Sequence, residues 1–364
     1  MPSSHDLTRR HMLTRAAGAA CLPLLSPMAL SAATVSAVSG AAWAQETDAL
    51  DPASAAVNAF LAGPGTLPLH QKTLGSIRAD LEEAGQTFGA EPIPMADRRD
   101  TDVPLSDNRT PVRIYRPLNA GDGPPPILIY VHGGYFVGGS IDSHDHVARS
   151  LARACGAMVA SIGYRRAPEH PYPAALDDVS EALRWLADKG DVLGGDKTRM
   201  GLVGDDAGGM LAASTAIRFR RQPFEGLKFL GLMTPYLRLD DETDFPSRST
   251  YGSGGYRPSL ADLAWMRDRY LSLEEDETPS GLVSPLQASA FKGVPTTLVI
   301  TAGQDAVRDE AGYFVRRLRE NGVVSGERRF DDTIHDFMFY APLIPAGAIA
   351  FDVLAAQFRQ ALTP

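Results

Sequence analysis

The chain is short of cysteine, of basic charge and of long apolar runs, and each shortage excludes something. Two cysteines, Cys21 and Cys155, occur in 364 residues, too few for a disulfide framework. Asp and Glu outnumber Lys and Arg 44 to 35, a formal net charge of −9. That balance argues against nucleic acid or an anionic membrane as a partner. The one extended Ala-rich stretch, 16–39, contains Pro23 and Pro27 and makes a poor spanning helix, so no stable membrane anchor is expected. No metal cluster and no phosphate-binding loop stands out, so no metal and no cofactor is expected. His144 and His146 flank Asp145, a pattern read as the solvent-facing start of a helix.

What is present begins with a leader. Thr8-Arg9-Arg10-His11-Met12-Leu13-Thr14 reads as a twin-arginine export signal, and Ala42-Trp43-Ala44 as an A-x-A cleavage site. The expected destination is the periplasm or the outside of the cell. Removing residues 1–44 takes Arg9, Arg10, Arg15 and Asp6 away, a net +2, and leaves 320 of the 364 residues with a charge of −11. Cys155 is then the sole cysteine, so no intrachain disulfide is expected in the mature chain.

Residues 45–100 lack strand alternation and suggest short helices at Val57–Leu61 and Leu74–Ala84, an N-terminal cap segment. Two β-like runs follow, Asp102–Leu105 and Val112–Arg116. From there short apolar strands alternate with helical patterns. Strands are expected at Ile127–Val131, Met158–Ile162, Met200–Val203, Lys228–Met233, Thr297–Thr301 and Gly326–Phe330. Helices are expected at Asp145–Ala154, Leu176–Asp188, Ala207–Arg221, Arg308–Glu320 and Ala346–Ala361. Such alternation implies an α/β fold with a mostly parallel, doubly wound sheet covered on both faces. The irregular excursion 238–286, with one helical stretch at Ser259–Leu273, would join residues 45–100 as a helical cap on a catalytic domain spanning 101–364.

Four stretches carry candidate chemistry. Gly204-Asp205-Asp206-Ala207-Gly208-Gly209 follows an apolar strand and opens a helix. In a strand–turn–helix elbow the central residue takes a positive φ, and glycines two places either side avoid a clash. His132-Gly133-Gly134-Tyr135-Phe136 follows another strand and offers bare backbone N–H groups to a developing oxyanion. Tyr164-Arg165-Arg166-Ala167-Pro168-Glu169-His170-Pro171 is a stiff connection in which Glu169 and His170 read as a bracing ion pair. Last come Asp305 at one strand end and His335 at another. Nucleophile, acid and histidine in that chain order is the α/β-hydrolase arrangement, with Asp305 orienting the imidazole and His335 moving the proton.

On these motifs the chain resembles the hormonesensitive-lipase-like, or family IV, carboxylesterases of the α/β-hydrolase fold. Y-R-x-A-P-E-H-P-x-P-A-A-L-D-D and G-D-x-A-G-G are specific to that family, and the resemblance runs from about Val103 to the C-terminus. It implies an oxyanion hole from the N–H groups of Gly133, Gly134 and Ala207, and short- to medium-chain acyl esters as substrates. The chain departs from the pattern at Tyr135 (third glycine of H-G-G-G), Ala306, Val307, Asp336 (glycine after the histidine) and Asp206, where the family has its nucleophilic serine.

Asp206 changes the chemistry. A carboxylate attacking an acyl ester gives an intermediate that expels the better leaving group. Carboxylate and alkoxide differ by more than about ten pKa units, roughly 14 kcal/mol, so the carboxylate leaves again. Three readings remain. Asp206 attacks an sp³ carbon of an epoxide or haloalkane and His335 with Asp305 hydrolyses the resulting ester, with Tyr135, Tyr251 or Tyr256 as candidates to polarise an epoxide oxygen. Asp206 or His335 acts as a general base in weak ester hydrolysis. Or the chain is a degenerate hydrolase that binds a small-molecule ligand.

Overall fold

The computed structural model describes residues 49–104, 109–239, 245–271 and 280–363; the leader read at 1–44 lies outside them. Strand β3, Pro126–Val131, is buried from Ile127 onward, as a strand covered on both faces must be. Its pleat sends Ile127, Ile129 and Val131 into one apolar cluster and Leu128 and Tyr130 into another.

Around it lie β1 (Met95–Pro104), β2 (Arg109–Pro117), β4 (Met158–Ile162), β5 (Asp196–Asp205), β6 (Leu227–Met233), β7 (Thr296–Gln304) and β8 (Ser325–Ile334). Together they form one eight-stranded sheet in the order β1-β2-β4-β3-β5-β6-β7-β8. β1 and β2 pair antiparallel, as do β2 and β4, and every other pairing is parallel. β1 begins at Met95, earlier than the expected Asp102. It is an edge strand with mostly exposed, charged residues, so no apolar alternation marks it.

One face of the sheet is covered by α4 (Ala174–Lys189), α5 (Asp206–Phe219) and α8 (Arg308–Glu320), the other by α3 (Asp145–Cys155) and α9 (Pro345–Ala361). Helix α3 buries Val147, Ala148, Leu151 and Cys155 on one stripe and stops at Gly156, whose φ of 63° closes the last turn. Burial pushes the Cys155 thiol up to about 12, so it is an inert core group. Phe351, Leu354 and Phe358 of α9 are buried, each contributing about 1.5–3 kcal/mol of hydrophobic stabilisation.

Two remote segments meet above the strand ends. The first holds α1 (Pro52–Ala62), a 3₁₀ turn (Leu69–Gln71) and α2 (Leu74–Phe88), and the second holds α6 (Pro246–Tyr251) and α7 (Leu260–Leu271). The backbone N–H and Nδ1 of His70 both lie 2.9 Å from Oδ1 of Asp262. The Asn58 amide donates to the Gly255 carbonyl at 2.9 Å. Arg248 fastens α6 to the body, its guanidinium 2.7 Å from Oε1 of Glu310 on α8.

Candidate active site

Four strand ends deliver the site, as parallel sheets of this kind do. The loop 132–136 leaves β3, Asp206 leaves β5, Asp305 leaves β7 and His335 leaves β8. Asp206 has a φ of 51°, a conformation that costs a non-glycine residue about 1–2 kcal/mol. A Cβ on Gly204 would overlap the Gly208 carbonyl, and one on Gly208 would overlap the Val131 carbonyl. The elbow therefore needs both glycines.

The Asp206 carboxylate is held on both oxygens. Oδ2 accepts the backbone N–H groups of Gly134 and Tyr135, each at 2.8 Å. Oδ1 lies 3.2 Å from Nε2 of His335. On the far side of the ring, Nδ1 lies 2.7 Å from Oδ2 of Asp305, and Oδ1 of Asp305 accepts the Val307 N–H at 3.0 Å. Asp206, Asp305 and His335 thus come together, all buried, in triad geometry.

Burial works against charge on Asp206 and His335, and local partners outweigh it. Asp206 is held below the usual carboxylate range because His335, Tyr236 and the Tyr135 N–H favour its ionised form. His335 is raised well above its ordinary value because the charges of Asp305 and Asp336 and the bonds to Asp206 and Asp305 overcome its burial. With a carboxylate at each ring nitrogen, both nitrogens act as donors. Asp336 is pushed well up, first by burial and then by the charges of Asp206 and Asp205. Its side chain is 18% exposed, with Oδ1 3.6 Å from Nε2 of His335, and it accepts the Thr234 hydroxyl at 3.1 Å.

Several expectations need correction. The Gly133 N–H does not face Asp206 but donates to Oδ2 of Asp205 at 3.2 Å. The loop turns through φ of 119° at Gly134 and 61° at Tyr135, which aims the next two N–H groups at the elbow instead. Ala207 sits buried just beyond Asp206, in the first turn of α5. His144 and His146 are not solvent-facing but buried: His144 Nε2 is 3.5 Å from Asp205, and His146 Nε2 is 2.8 Å from the Phe339 carbonyl. Glu169 pairs with Arg78 of α2 at 2.7 Å, not with His170, which is exposed. Tyr256 gives its hydroxyl to Gln304 at 2.6 Å, and Tyr251 packs edge-on against Tyr256 and beneath Arg308.

The tyrosine at the elbow is Tyr236, which no motif flagged. Its ring stacks on His335 at 5.5 Å and 11°. Its buried hydroxyl is close enough to help lower the Asp206 pKa, yet makes no hydrogen bond of good geometry. Asp205, the other overlooked residue, braces the loop, accepting the Tyr130 hydroxyl at 2.7 Å on Oδ1 and the Gly133 N–H on Oδ2. The His132 ring stacks on Tyr164 at 4.4 Å, and burial lowers its pKa to about 3, so it supports the loop as a neutral ring.

A cavity of about 370 Å³ adjoins the site, bounded by α1, α2, Tyr135, Arg257 and Tyr340 and lined by apolar groups such as Phe60, Leu69 and Ile77. Its size and lining suit a small, mostly apolar ligand.

Sheet order, elbow and triad are those of an α/β-hydrolase. A family model described as alpha/beta hydrolase fold matches residues 128–339. The ethyl acetate hydrolase of Pseudomonas putida is 32% identical over 282 residues, covering 76% of this chain and 87% of that protein. Carboxylesterase NlhH of Mycobacterium tuberculosis is 34% identical over 258 residues, 69% of this chain and 78% of the relative. The solved hyperthermophilic esterase from Pyrobaculum calidifontis superposes with a TM-score of 0.79 at 34% identity, covering 86% of this chain and 98% of that one. The chain belongs to the hormone-sensitive-lipase-like carboxylesterase family of α/β-hydrolases. It is a hydrolase of esterase-like type.

Proposed function

We propose that this hydrolase, exported through its twin-arginine leader, uses Asp206 as a nucleophile on an sp³ carbon of a small apolar substrate, of epoxide or haloalkane type. One observation carries this: Oδ2 of Asp206 itself occupies the two N–H groups of Gly134 and Tyr135. An acyl ester needs those donors for its own carbonyl oxygen and finds them filled by a negative charge. An ester formed on Asp206 has Oδ2 as its carbonyl oxygen, already seated where an oxyanion will form.

In the first step Oδ1 attacks the carbon, the carbon–oxygen or carbon–halogen bond breaks, and the pair leaves on alkoxide or halide. Tyr236 lies beside Asp206 with a hydroxyl that makes no hydrogen bond of good geometry and serves as donor to a departing oxygen. Alkylation removes the Asp206 charge and with it the bond to His335, one of the supports of the imidazolium. His335 then gives up its proton, to the departing alkoxide by way of Tyr236 or, with halide, to solvent. As a neutral ring it accepts one from water, with Asp305 holding the ring. Water adds to the Asp206 carboxyl carbon, Gly134 and Tyr135 stabilise the oxyanion on Oδ2, and collapse releases the alcohol and restores the carboxylate.

The test is adduct trapping. His335→Gln is incubated with a panel of epoxides and haloalkanes in the presence of a chelator, and its intact mass and peptide map are read. An alkyl adduct on Asp206 is expected. No adduct across the panel overturns this reading and leaves a ligand-binding role or general-base catalysis.

A further inference from the structure

The charge at the elbow does not balance. Asp206, Asp305 and Asp336 share one ion-pair partner, His335, and among the described residues no Arg or Lys pairs with any of them. Buried carboxylates in excess of their cations are costly and are closed by protons or by a metal ion. Two of these acids, Asp206 and Asp336, stand where the family pattern has serine and glycine. Both turn an oxygen toward the same nitrogen.

The geometry is that of a ligand set. Oδ1 of Asp206 lies 3.2 Å and Oδ1 of Asp336 3.6 Å from Nε2 of His335, and the three donors lie within 4.8 Å of one another. Donors about 2.1 Å from a tetrahedral ion sit roughly 3.4 Å apart, so two edges already fit, and rotation of the partly exposed Asp336 closes the third. Two of the ligands are oriented from behind, as metal ligands are. Asp305 holds Nδ1 of His335, and two backbone N–H groups hold Oδ2 of Asp206, leaving Oδ1 turned toward His335. Thr234 donates to Oδ1 of Asp336 itself, a bond that rotation toward the ion gives up. A second pointer is the Tyr236 hydroxyl, fully buried, close enough to Asp206 to lower its pKa, yet making no hydrogen bond of good geometry. It stands ready to bond a fourth ligand such as water.

We propose that Asp206, His335 and Asp336 bind one divalent transition-metal ion of the zinc type. One imidazole with two carboxylates favours such an ion over Ca²⁺ or Mg²⁺, which take oxygen-rich shells. This goes beyond the covalent reaction and excludes it while the ion is bound. The ion replaces the Nε2 proton of His335, which is released to solvent, and takes the Oδ1 lone pair that would attack carbon, so it is an inhibitor that must leave before turnover.

The test is calorimetric titration of chelator-stripped, tag-free full-length protein with Zn²⁺, compared with Mg²⁺. Wild type, Asp336→Gly and His335→Gln are compared. Asp336→Gly restores the family's glycine at a φ of 58°, where glycine is unstrained. One Zn²⁺ per chain is expected, with Mg²⁺ failing to bind, and each substitution should weaken the affinity more than about tenfold. No stoichiometric Zn²⁺ binding, or affinity unchanged in both variants, overturns the site. The titration needs no substrate, and adduct trapping is run in chelator, so either proposal can fail alone.

Discussion

Two buried clusters of charge in this molecule are built in opposite ways. Where the cap is fastened, Arg248 and Glu310 are one cation and one anion. Nε and Nη2 of Arg248 lie 3.0 and 2.7 Å from Oε1, and the Leu237 N–H reaches Oε2 at 2.9 Å. At the elbow three carboxylates crowd one imidazole, and two of them replace uncharged residues of the family pattern. A balanced pair with every oxygen satisfied is a fastener, costly only when one partner is lost. An unbalanced cluster holds electrostatic cost in reserve, and such sites release it when a ligand or a bond neutralises one member. The first kind organises structure and the second kind marks chemistry.

The most sensitive way to break the contrast is to remove the elbow's extra charge. Asp206→Ser reopens the two N–H groups and supplies a neutral nucleophile to His335. Hydrolysis of p-nitrophenyl butyrate should rise from near zero by about 10³-fold or more. Strong wild-type turnover of that ester would contradict the account. Next in size, Arg248→Ala leaves Glu310 buried without its cation and should cost about 3–5 kcal/mol by chemical denaturation. A loss below 1 kcal/mol, well under that figure, would show that the pair is no fastener.

Asp336→Gly should do the reverse and stabilise the chain, by about 1–2 kcal/mol at pH 8 in chelator, through relief of positive-φ strain and of buried charge. The sign follows from the raised pKa of Asp336. The folded chain keeps a proton that the unfolded chain releases near pH 4, so wild-type stability falls as pH rises from there through the folded pKa. The gap between variant and wild type should widen over that range, and a gap independent of pH would remove Asp336 from the coupled cluster. Smallest of all, Glu169→Ala breaks a pair whose acid is 53% exposed and should cost less than about 1 kcal/mol.

The sheet was readable where burial writes a pattern. β4 spans the expected Met158–Ile162 and α8 the expected Arg308–Glu320, because buried runs bounded by glycine and helix-period stripes are local signals. The edge strand β1 carries charge at half of its positions and left no such signal. At the site, the positions of Asp206, Asp305 and His335 followed from motif order, since each sits at a strand end. Which N–H groups face the elbow did not, because that depends on the φ values of Gly134 and Tyr135 rather than on spacing. Arg78 as the partner of Glu169 lies 91 residues away, and Tyr236 follows β6 in a plain Thr234-Pro235-Tyr236 segment. Contacts of that kind exist only after folding.

The central claim is that Asp206 itself bonds to the substrate's carbon, and heavy-oxygen water tests it most directly. A single turnover of a responsive epoxide or haloalkane, with enzyme in excess, is run in labelled water. The account predicts an unlabelled product alcohol and the label in the peptide that contains Asp206, because water attacks the carboxyl carbon and the product leaves with an Asp206 oxygen. Label in the first-turnover product and none in Asp206 would contradict it.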